Sequence, residues 1–136
     1  MNGLVLDTSA LLAYASGESV EPGAMIALAA EDPGHQVWIP ALCLGEATSQ
    51  LIGTKQRVVL DVLTGSDSDV KIAVYDGATS RRVARIAAEQ GIGIDAAHAI
   101  ATALLYRCYL VTSSPDLAAA AGRLGVETLD LSQTWD

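Results

Sequence analysis

The sequence predicts an α/β domain of three layers, in which helices cover both faces of a central parallel sheet of four to five strands. Short apolar runs alternate with segments of helical spacing along the whole chain. Alternation of this kind is typical of parallel strands joined by right-handed helical crossovers. The chain is also 51 % hydrophobic, contains no Phe and is only 4 % aromatic, which suits small-residue helices packed closely on a sheet.

The size of the chain favours one domain without a structural staple. A chain of 136 residues buries about two-thirds of its unfolded surface on folding. We assign residues 1–130 to that domain and residues 131–136 to a C-terminal tail. Cys43 and Cys108 lie in apolar runs without the spacing of a metal site, which favours reduced core residues. No apolar run reaches the roughly 20 residues that span a bilayer, so we expect a cytoplasmic protein outside the membrane.

The first half of the chain predicts two strand–helix units. The apolar run that ends at Leu6 is typical of a strand buried on both faces. A second such run is stopped by Pro40, and proline favours the first position of a following helix. The predicted elements are a strand before Asp7, a helix at Ala10–Ala15, a helix at Ala24–Glu31, a strand at Gln36–Ile39 and a helix at Ala41–Ile52.

The second half continues the alternation. A capping Thr54 precedes a helical segment that ends near Gly65, and Gly91 and Gly125 each end a later helix. The β-branched run before Asp76 favours a strand. The predicted elements are a strand at Val70–Tyr75, a helix at Asp76–Gln90, a helix from Asp95 to about Arg107, a strand at Tyr109–Thr112, a helix at Leu117–Leu124 and an edge strand at Glu127–Leu129.

Four acidic residues are expected at the carboxyl edge of this sheet, where α/β domains bind ligands. Asp7 follows the first strand, Glu46 lies in the helix after the second, Asp95 heads a helix, and Asp116 follows the Tyr109–Thr112 strand. Acids gathered at one edge raise one another's pKa unless cations such as Mg²⁺ or Mn²⁺ bind them. Each acid also has an ordinary interpretation, as a helix cap, a first-turn acid or a solvent-facing residue.

The charge balance limits how the protein interacts with nucleic acid. With 16 acidic against 8 basic residues, the formal net charge is −8. This argues against a protein that holds nucleic acid mainly by bulk electrostatics, but it allows an acidic pocket in which divalent cations reverse the local sign. Arg81, Arg82 and Arg85 cluster in one helix. They indicate either a solvated helix face or contacts to phosphates beside the acidic edge.

These motifs, in this order, resemble those of PIN-domain ribonucleases, and in particular the VapC-type toxins of toxin–antitoxin pairs. The resemblance covers essentially the whole chain and lies in Leu4–Leu12 with its Asp7-Thr8-Ser9, in Glu46, in Asp95–Ala103 and in Leu110–Ser113. It implies a metal-dependent endoribonuclease in which Asp7, Glu46 and Asp95 are catalytic and hold Mg²⁺ or Mn²⁺. It further implies an RNA substrate, a homodimer and a small antitoxin protein that covers the active edge.

The sequence departs from the family at the fourth motif. The family usually has an acid two residues after the strand-ending Thr, and this chain has Ser114 there. We expect Asp116 to substitute as a metal ligand from the first turn of its helix. Thr8 or Ser9 is expected to orient a ligand carboxylate. His98, one turn past Asp95, is expected to be an ordinary residue of the helix surface.

Three other functions also place an acid after the first strand or use this fold. A phosphotransferase of the haloacid-dehalogenase kind needs a second Asp where Ser9 stands. A response-regulator receiver domain needs paired acids near the first strand and a Lys after the last core strand, and the chain has neither. The remaining alternative is a PIN-like scaffold of weak or no catalytic activity that binds RNA or a protein partner, which Ser114 in place of an acid suggests.

Overall fold

The computed structural model describes residues 3–17, 21–32, 34–66 and 68–132. Within these ranges the chain forms five strands and seven helices. The strands are β1 (Gly3–Leu6), β2 (Gln36–Pro40), β3 (Lys71–Ala73), β4 (Tyr109–Thr112) and β5 (Thr128–Asp130). The helices are α1 (Thr8–Ser16), α2 (Glu21–Glu31), α3 (Ala41–Leu51), α4 (Gln56–Leu63), α5 (Gly77–Gln90), α6 (Ile94–Tyr106) and α7 (Pro115–Arg123).

The strands form one parallel sheet in the order β3-β2-β1-β4-β5, which confirms the predicted α/β class. The chain proceeds outward from β1 through β2 to β3, then returns to the other side of β1 to form β4. The strand order therefore reverses between β1 and β4. In open α/β sheets a crevice forms at such a switch point, outside the carboxyl ends of the strands.

The central strands are buried on both faces, which explains their continuous apolar sequences. Val5 and Leu6 of β1 and Leu110 and Val111 of β4 are fully buried. The core also includes the alanine-rich face of α6, because small side chains allow a helix to approach the sheet closely. Cys43 and Cys108 are buried free cysteines, as the sequence predicted.

The first two helices begin earlier than predicted. α1 begins at Thr8 because Asp7 has the extended backbone of an N-cap and its side chain accepts the first helical hydrogen bond. α2 begins at Glu21 rather than Ala24. Pro22 lies inside the first turn of α2, where a helix tolerates proline because that backbone N–H would have no partner in the helix.

The predicted start of α3 is confirmed, whereas that of α4 was wrong. α3 begins at Ala41, and Pro40 is the last residue of β2 and the N-cap of α3, with an extended backbone, rather than its first helical residue. Thr54 does not cap α4, which begins at Gln56. The Thr54 hydroxyl instead donates to the carbonyl oxygen of Leu51 at 2.7 Å, so it stabilises the turn after α3.

The outer strands differ from their predicted bounds. β3 spans only Lys71–Ala73, because Val74 and Tyr75 leave the edge of the sheet and are exposed. β5 lies one position later than predicted, at Thr128–Asp130. Edge strands are paired on one side, so the sequence pattern defines their ends less sharply than those of β1 or β4.

The remaining expectations concern the membrane and the C-terminal tail. In the described part of the chain, no helix is long and apolar enough to cross a membrane. Residues 133–136, and with them most of the predicted tail, lie outside the described residues. The division into a domain at 1–130 and a tail at 131–136 stays a prediction.

Candidate active site

Asp7 lies at the switch point and is held there by backbone and side-chain hydrogen bonds. Its backbone N–H donates to the carbonyl oxygen of Val111 at 3.3 Å, which ties the end of β1 to β4. Its Oδ1 accepts from the Ala10 N–H at 2.8 Å and from Ser9 Oγ at 2.7 Å. Its Oδ2 accepts from Thr112 Oγ1 at 2.5 Å. Asp7 therefore caps α1 through Oδ1, and its Oδ2 is held by Thr112 of the neighbouring strand β4.

The environment of Asp7 disfavours its charged form. Asp7 is 3 % exposed, and burial raises the pKa of its carboxyl above the ordinary value. The hydrogen bonds from Thr112, Ser9 and Ala10 oppose this shift, whereas the negative charge of Asp95 adds to it. A cation placed between the two carboxylates would favour the ionised form of both.

Asp95 reaches the same edge from the start of α6. The N-cap of α6 is Gly93, so Asp95 is the second helical residue and its side chain does not cap the helix. Its Oδ2 accepts from Thr8 Oγ1 at 2.8 Å. Ser9 likewise donates to Asp7. Thr8 and Ser9 therefore each bind one of the two carboxylates, and the role of these carboxylates as metal ligands stays a prediction.

Asp7 and Asp95 line one cavity of about 310 Å³. Ser114, which stands where an acid was expected, lines it as well. Ser114 is the N-cap of α7, and its Oγ accepts from the Leu117 N–H at 3.2 Å. Its own N–H donates to Thr112 Oγ1 at 3.0 Å. Ser114, at the fourth-motif position, therefore lies in the same cavity as the two carboxylates and contributes a hydroxyl instead of a charge.

The other two predicted ligands do not line this cavity. Glu46 is exposed on α3, and its Oε1 accepts from Gln50 Nε2 at 3.1 Å. Gln50 does line the cavity. Asp116 is exposed in the first turn of α7. Among the described residues, no three His, Cys, Asp or Glu side chains are close enough together to hold a metal ion. The roles of Glu46 and Asp116 stay predictions.

The expectation for His98 was wrong. The residue is only 1 % exposed, and its Nδ1 accepts from the Leu42 N–H at 3.4 Å. Burial lowers the pKa of the imidazole, so the neutral form is favoured. His98 therefore joins the inner face of α6 to the first turn of α3. An apolar sequence on both sides, Ala96 to Ala101, was the signal for burial.

Two site residues were missed by the sequence reasoning. Thr112 is fully buried at the end of β4 and contacts Asp7, Ser9 and Ser114 through one hydroxyl. The sequence signal for Thr112 was a polar residue at the end of a strand that is otherwise apolar. Gln50 lies about one turn past Glu46, and no signal distinguished it from an exposed helix residue.

The donor set at the cavity suits a hard divalent cation. Asp7, Asp95 and Ser114 present oxygen atoms, and oxygen ligands are those that Mg²⁺ and Mn²⁺ prefer. Mg²⁺ in particular is commonly held by one or two carboxylates together with water and substrate phosphates. A pair of carboxylates therefore fits such an ion without a third protein acid.

Comparison with known proteins identifies the family. Residues 4–123 match the family described as PIN domain, whereas no curated protein sequence matches the chain. The fold is similar to those of many solved structures, among them the three that follow. VapBC2 from Rickettsia felis, bound to a DNA fragment from its promoter, is 15 % identical, with a TM-score of 0.67 over 94 % of this chain and 98 % of that one.

The other two structures show the same fold. VapC20 from Mycobacterium tuberculosis, a Sarcin-Ricin loop cleaving toxin, is 18 % identical, with a TM-score of 0.67 over 86 % of this chain and 94 % of that one. VapBC-1 from nontypeable Haemophilus influenzae is 15 % identical, with a TM-score of 0.67 over 96 % and 99 %. The family match covers most of the chain, including Asp7, Asp95 and Ser114. The chain therefore belongs to the PIN domain family.

Proposed function

We propose that this protein is a metal-dependent endoribonuclease that hydrolyses RNA phosphodiester bonds, and that it is the toxin of a toxin–antitoxin pair. The observation that supports this most directly is the shared cavity of Asp7 and Asp95 at the switch point of a PIN domain. The similarity of fold to VapC20, a toxin that cleaves the Sarcin-Ricin loop, favours RNA as the substrate.

Asp7 and Asp95 are the residues that would hold Mg²⁺ or Mn²⁺, with Glu46 and Asp116 as further candidates. A bound divalent ion would activate water for attack on the phosphodiester and neutralise charge on the leaving oxygen. The protein's own contribution is orientation. Ser9 and Thr112 fix the two oxygens of Asp7, and Thr8 fixes one oxygen of Asp95. Hydroxyls in such supporting positions maintain ligand geometry in metal sites.

The test is cleavage of a mixed RNA pool by the purified protein, with Mg²⁺, with Mn²⁺ and with a chelator. We expect cleavage only with the metal. Asp7→Asn and Asp95→Asn should lower the rate by more than the 10- to 100-fold that is roughly the cost of losing a supporting residue. Asn keeps the helix-capping acceptor at position 7, although its amide nitrogen cannot accept from Thr112 Oγ1 as Asp7 Oδ2 does. Circular dichroism therefore checks that each variant folds. Cleavage that persists with the chelator or in both variants would contradict the proposal.

Metal binding gives a second measurement that does not depend on turnover. Titration with Mn²⁺, followed by electron paramagnetic resonance, should show an ion bound by the wild type and released by Asp7→Asn. Ser49→Ala, on the exposed side of α3, is a matched control that should bind Mn²⁺ as the wild type does.

One observation favours the scaffold alternative. Ser114 provides no charge at the cavity. Among the described residues, no three His, Cys, Asp or Glu side chains lie close enough together to hold a metal ion. A protein of this kind would bind RNA or a partner without turnover. It would show no metal-dependent cleavage in the assay above, although it would still bind the RNA pool.

The partner of the toxin would be a small antitoxin protein. VapBC2 and VapBC-1 are named as pairs of components, and this chain exposes apolar side chains that such a partner could cover. Ile52, Val58 and Val62 are 66 %, 57 % and 72 % exposed. They lie on α4 and the turn before it, close in sequence to Gln50 of the cavity. Capture of the chain by the product of an adjacent short reading frame, and loss of capture in Val62→Lys, would test this surface.

We further propose a cytoplasmic homodimer. A cytoplasmic location agrees with an RNA substrate and with two buried free cysteines, since reduced thiols are typical of that compartment. Dimerisation follows from the family resemblance. Light scattering of the purified chain at several concentrations would measure the oligomeric state.

A further inference from the structure

A second cavity, of about 190 Å³, lies between the end of β3, the first turns of α5 and the inner face of α6. It is separate from the cavity that holds Asp7 and Asp95, and the two share no lining residue. Exposed side chains of Arg82 and Leu105 stand at its walls, so it opens to solvent. Buried His98 forms part of its floor.

The walls of this second cavity are of two kinds. Val74, Leu105 and Tyr106 provide apolar and aromatic surface, whereas Asp76, Thr79 and Arg82 provide an acceptor, a hydroxyl and a guanidinium. An unpaired nucleobase has the same division, with apolar faces that stack on side chains and a polar edge that hydrogen-bonds. Arginine suits such an edge because its planar group donates several hydrogen bonds in fixed directions and also stacks.

The charges of the cavity favour a base over a phosphate. Arg82 makes no ion pair with any residue in the described ranges, where the ion pairs are His35–Asp32 and Arg57–Asp61. Asp76 Oδ1 accepts from the Thr79 N–H at 2.8 Å, and the Thr79 side chain and the Ala78 N–H also hydrogen-bond to this carboxylate. Each carboxylate oxygen has two acceptor positions, so the group can accept a further bond from a ligand. One positive and one negative group offer little net attraction to a phosphate. They match the donors and acceptors of a base edge.

The position of the cavity relates it to the candidate active site. His98 follows Asp95 by three residues in α6, a rise of about 4.5 Å along the helix axis. Tyr75 is 38 % exposed, and its ring lies 5.4 Å from that of His98. The cavity begins at His98, one turn past Asp95, and extends along α6 to Tyr106, so an RNA strand with a phosphate near Asp95 could reach it along this helix. We propose that the second cavity binds an unpaired base of the RNA beside the cleaved bond, an inference that rests on the proposed function.

The experiment compares two pairs of neighbouring substitutions. Arg82→Ala removes the guanidinium from the cavity, and Arg81→Ala removes an exposed arginine of the same helix that does not line it. Leu105→Trp fills the cavity, and Leu104→Trp places the same bulk on an exposed neighbour outside it. All four positions are exposed, so the fold should tolerate each change, and circular dichroism checks this.

The main measurement is the base preference around the cleaved bond, read by sequencing the ends of products from a random RNA pool. We expect the wild type to prefer one base at one flanking position. Arg82→Ala and Leu105→Trp should reduce that preference at least about fivefold, the lower range for losing one base contact. Arg81→Ala and Leu104→Trp should retain it. Equal preferences in all four variants would overturn the inference.

A binding measurement separates this inference from the proposed function. Fluorescence anisotropy of a short labelled single-stranded RNA, in the presence of a chelator, requires no cleavage. Arg82→Ala should weaken binding about fivefold more than Arg81→Ala does. If the wild type fails to cleave but this difference is present, the proposed activity is wrong and the base-binding cavity stands. If Arg82→Ala only lowers the salt dependence of binding and leaves base preference intact, the cavity contacts a phosphate and the inference is wrong.

Discussion

Replacing Ser114 with aspartate should tighten metal binding, because this residue lines the same cavity as Asp7 and Asp95. The change is structurally mild. Ser114 caps α7 through its side-chain oxygen, and aspartate caps helices as well as serine does. The N-terminus of α7 also favours a negative charge by about 0.3–1 kcal/mol. Without a cation, the new charge should raise the pKa of Asp7 further, since burial and Asp95 already raise it.

The expected magnitude follows from linkage. A tenfold tighter dissociation constant corresponds to about 1.4 kcal/mol, and at saturating Mn²⁺ the same free energy appears as added stability of the folded state. For a domain of this size, about 1 kcal/mol shifts the melting temperature by roughly 3–5 °C. We therefore expect Mn²⁺ to raise the melting temperature of Ser114→Asp by about 4–7 °C more than it raises that of the wild type.

The matched control is Ser114→Asn, which has the same size and capping ability as aspartate but no charge. Differential scanning calorimetry with Mn²⁺ and with a chelator gives the four melting temperatures needed for each variant pair. If Mn²⁺ stabilises Ser114→Asp no more than Ser114→Asn, the cavity does not bind the cation through this face. The assignment of Asp7 and Asp95 as ligands would then lose its geometric support.

Three further predictions concern stability. Thr112→Val should lower the free energy of unfolding by about 1–3 kcal/mol, because it leaves Asp7 Oδ2 without its donor in a buried site; urea denaturation measures this, and a Thr112→Ser variant that is equally destabilised would contradict it. Burial lowers the pKa of His98, so below about pH 6.5 the unfolded chain binds a proton that the folded chain does not. Stability should therefore decrease as pH falls through that value, with a shallower slope in His98→Asn; identical slopes would show that other groups dominate. Leu60→Ala should cost about 2–5 kcal/mol, since Leu60 is 1 % exposed. Val62→Ala should cost less than about 0.5 kcal/mol, since Val62 is 72 % exposed; comparable losses in denaturant would mean that α4 packs with another face.

The parts of the fold that the sequence predicted well are those in which local pattern and burial agree. Val5 and Val111 belong to strands covered on both faces, and a continuous apolar run of that length has few other structures open to it. Thr54 illustrates the opposite case. Its residue type favours a helix start, but its hydroxyl donates to the Leu51 carbonyl oxygen at the end of α3, and α4 begins two residues later.

The candidate site was predictable only where a residue is tied to the end of a central element. Asp7 and Asp95 occupy such positions, and the topology brings them together. The direction of Glu46 depends on the rotation of α3 about its axis, which the packing of α3 on α1 and α6 sets. Thr112 was missed because its role appears only when β4 lies beside β1, a long-range pairing that no local pattern contains.

Hydroxyl groups hold the side chains of Asp7 and Asp95 in place without a cation. Three hydroxyls, of Thr8, Ser9 and Thr112, donate to Asp7 and Asp95, so the carboxylates are oriented by the protein alone. Metal sites that lack such support fold only when the metal binds. Here the strand pairing and helix caps that position the acids belong to the buried core. The fold therefore does not need a cation to bring Asp7 and Asp95 to one cavity. Under the proposed function, the free energy of metal binding would be available for holding a phosphate there.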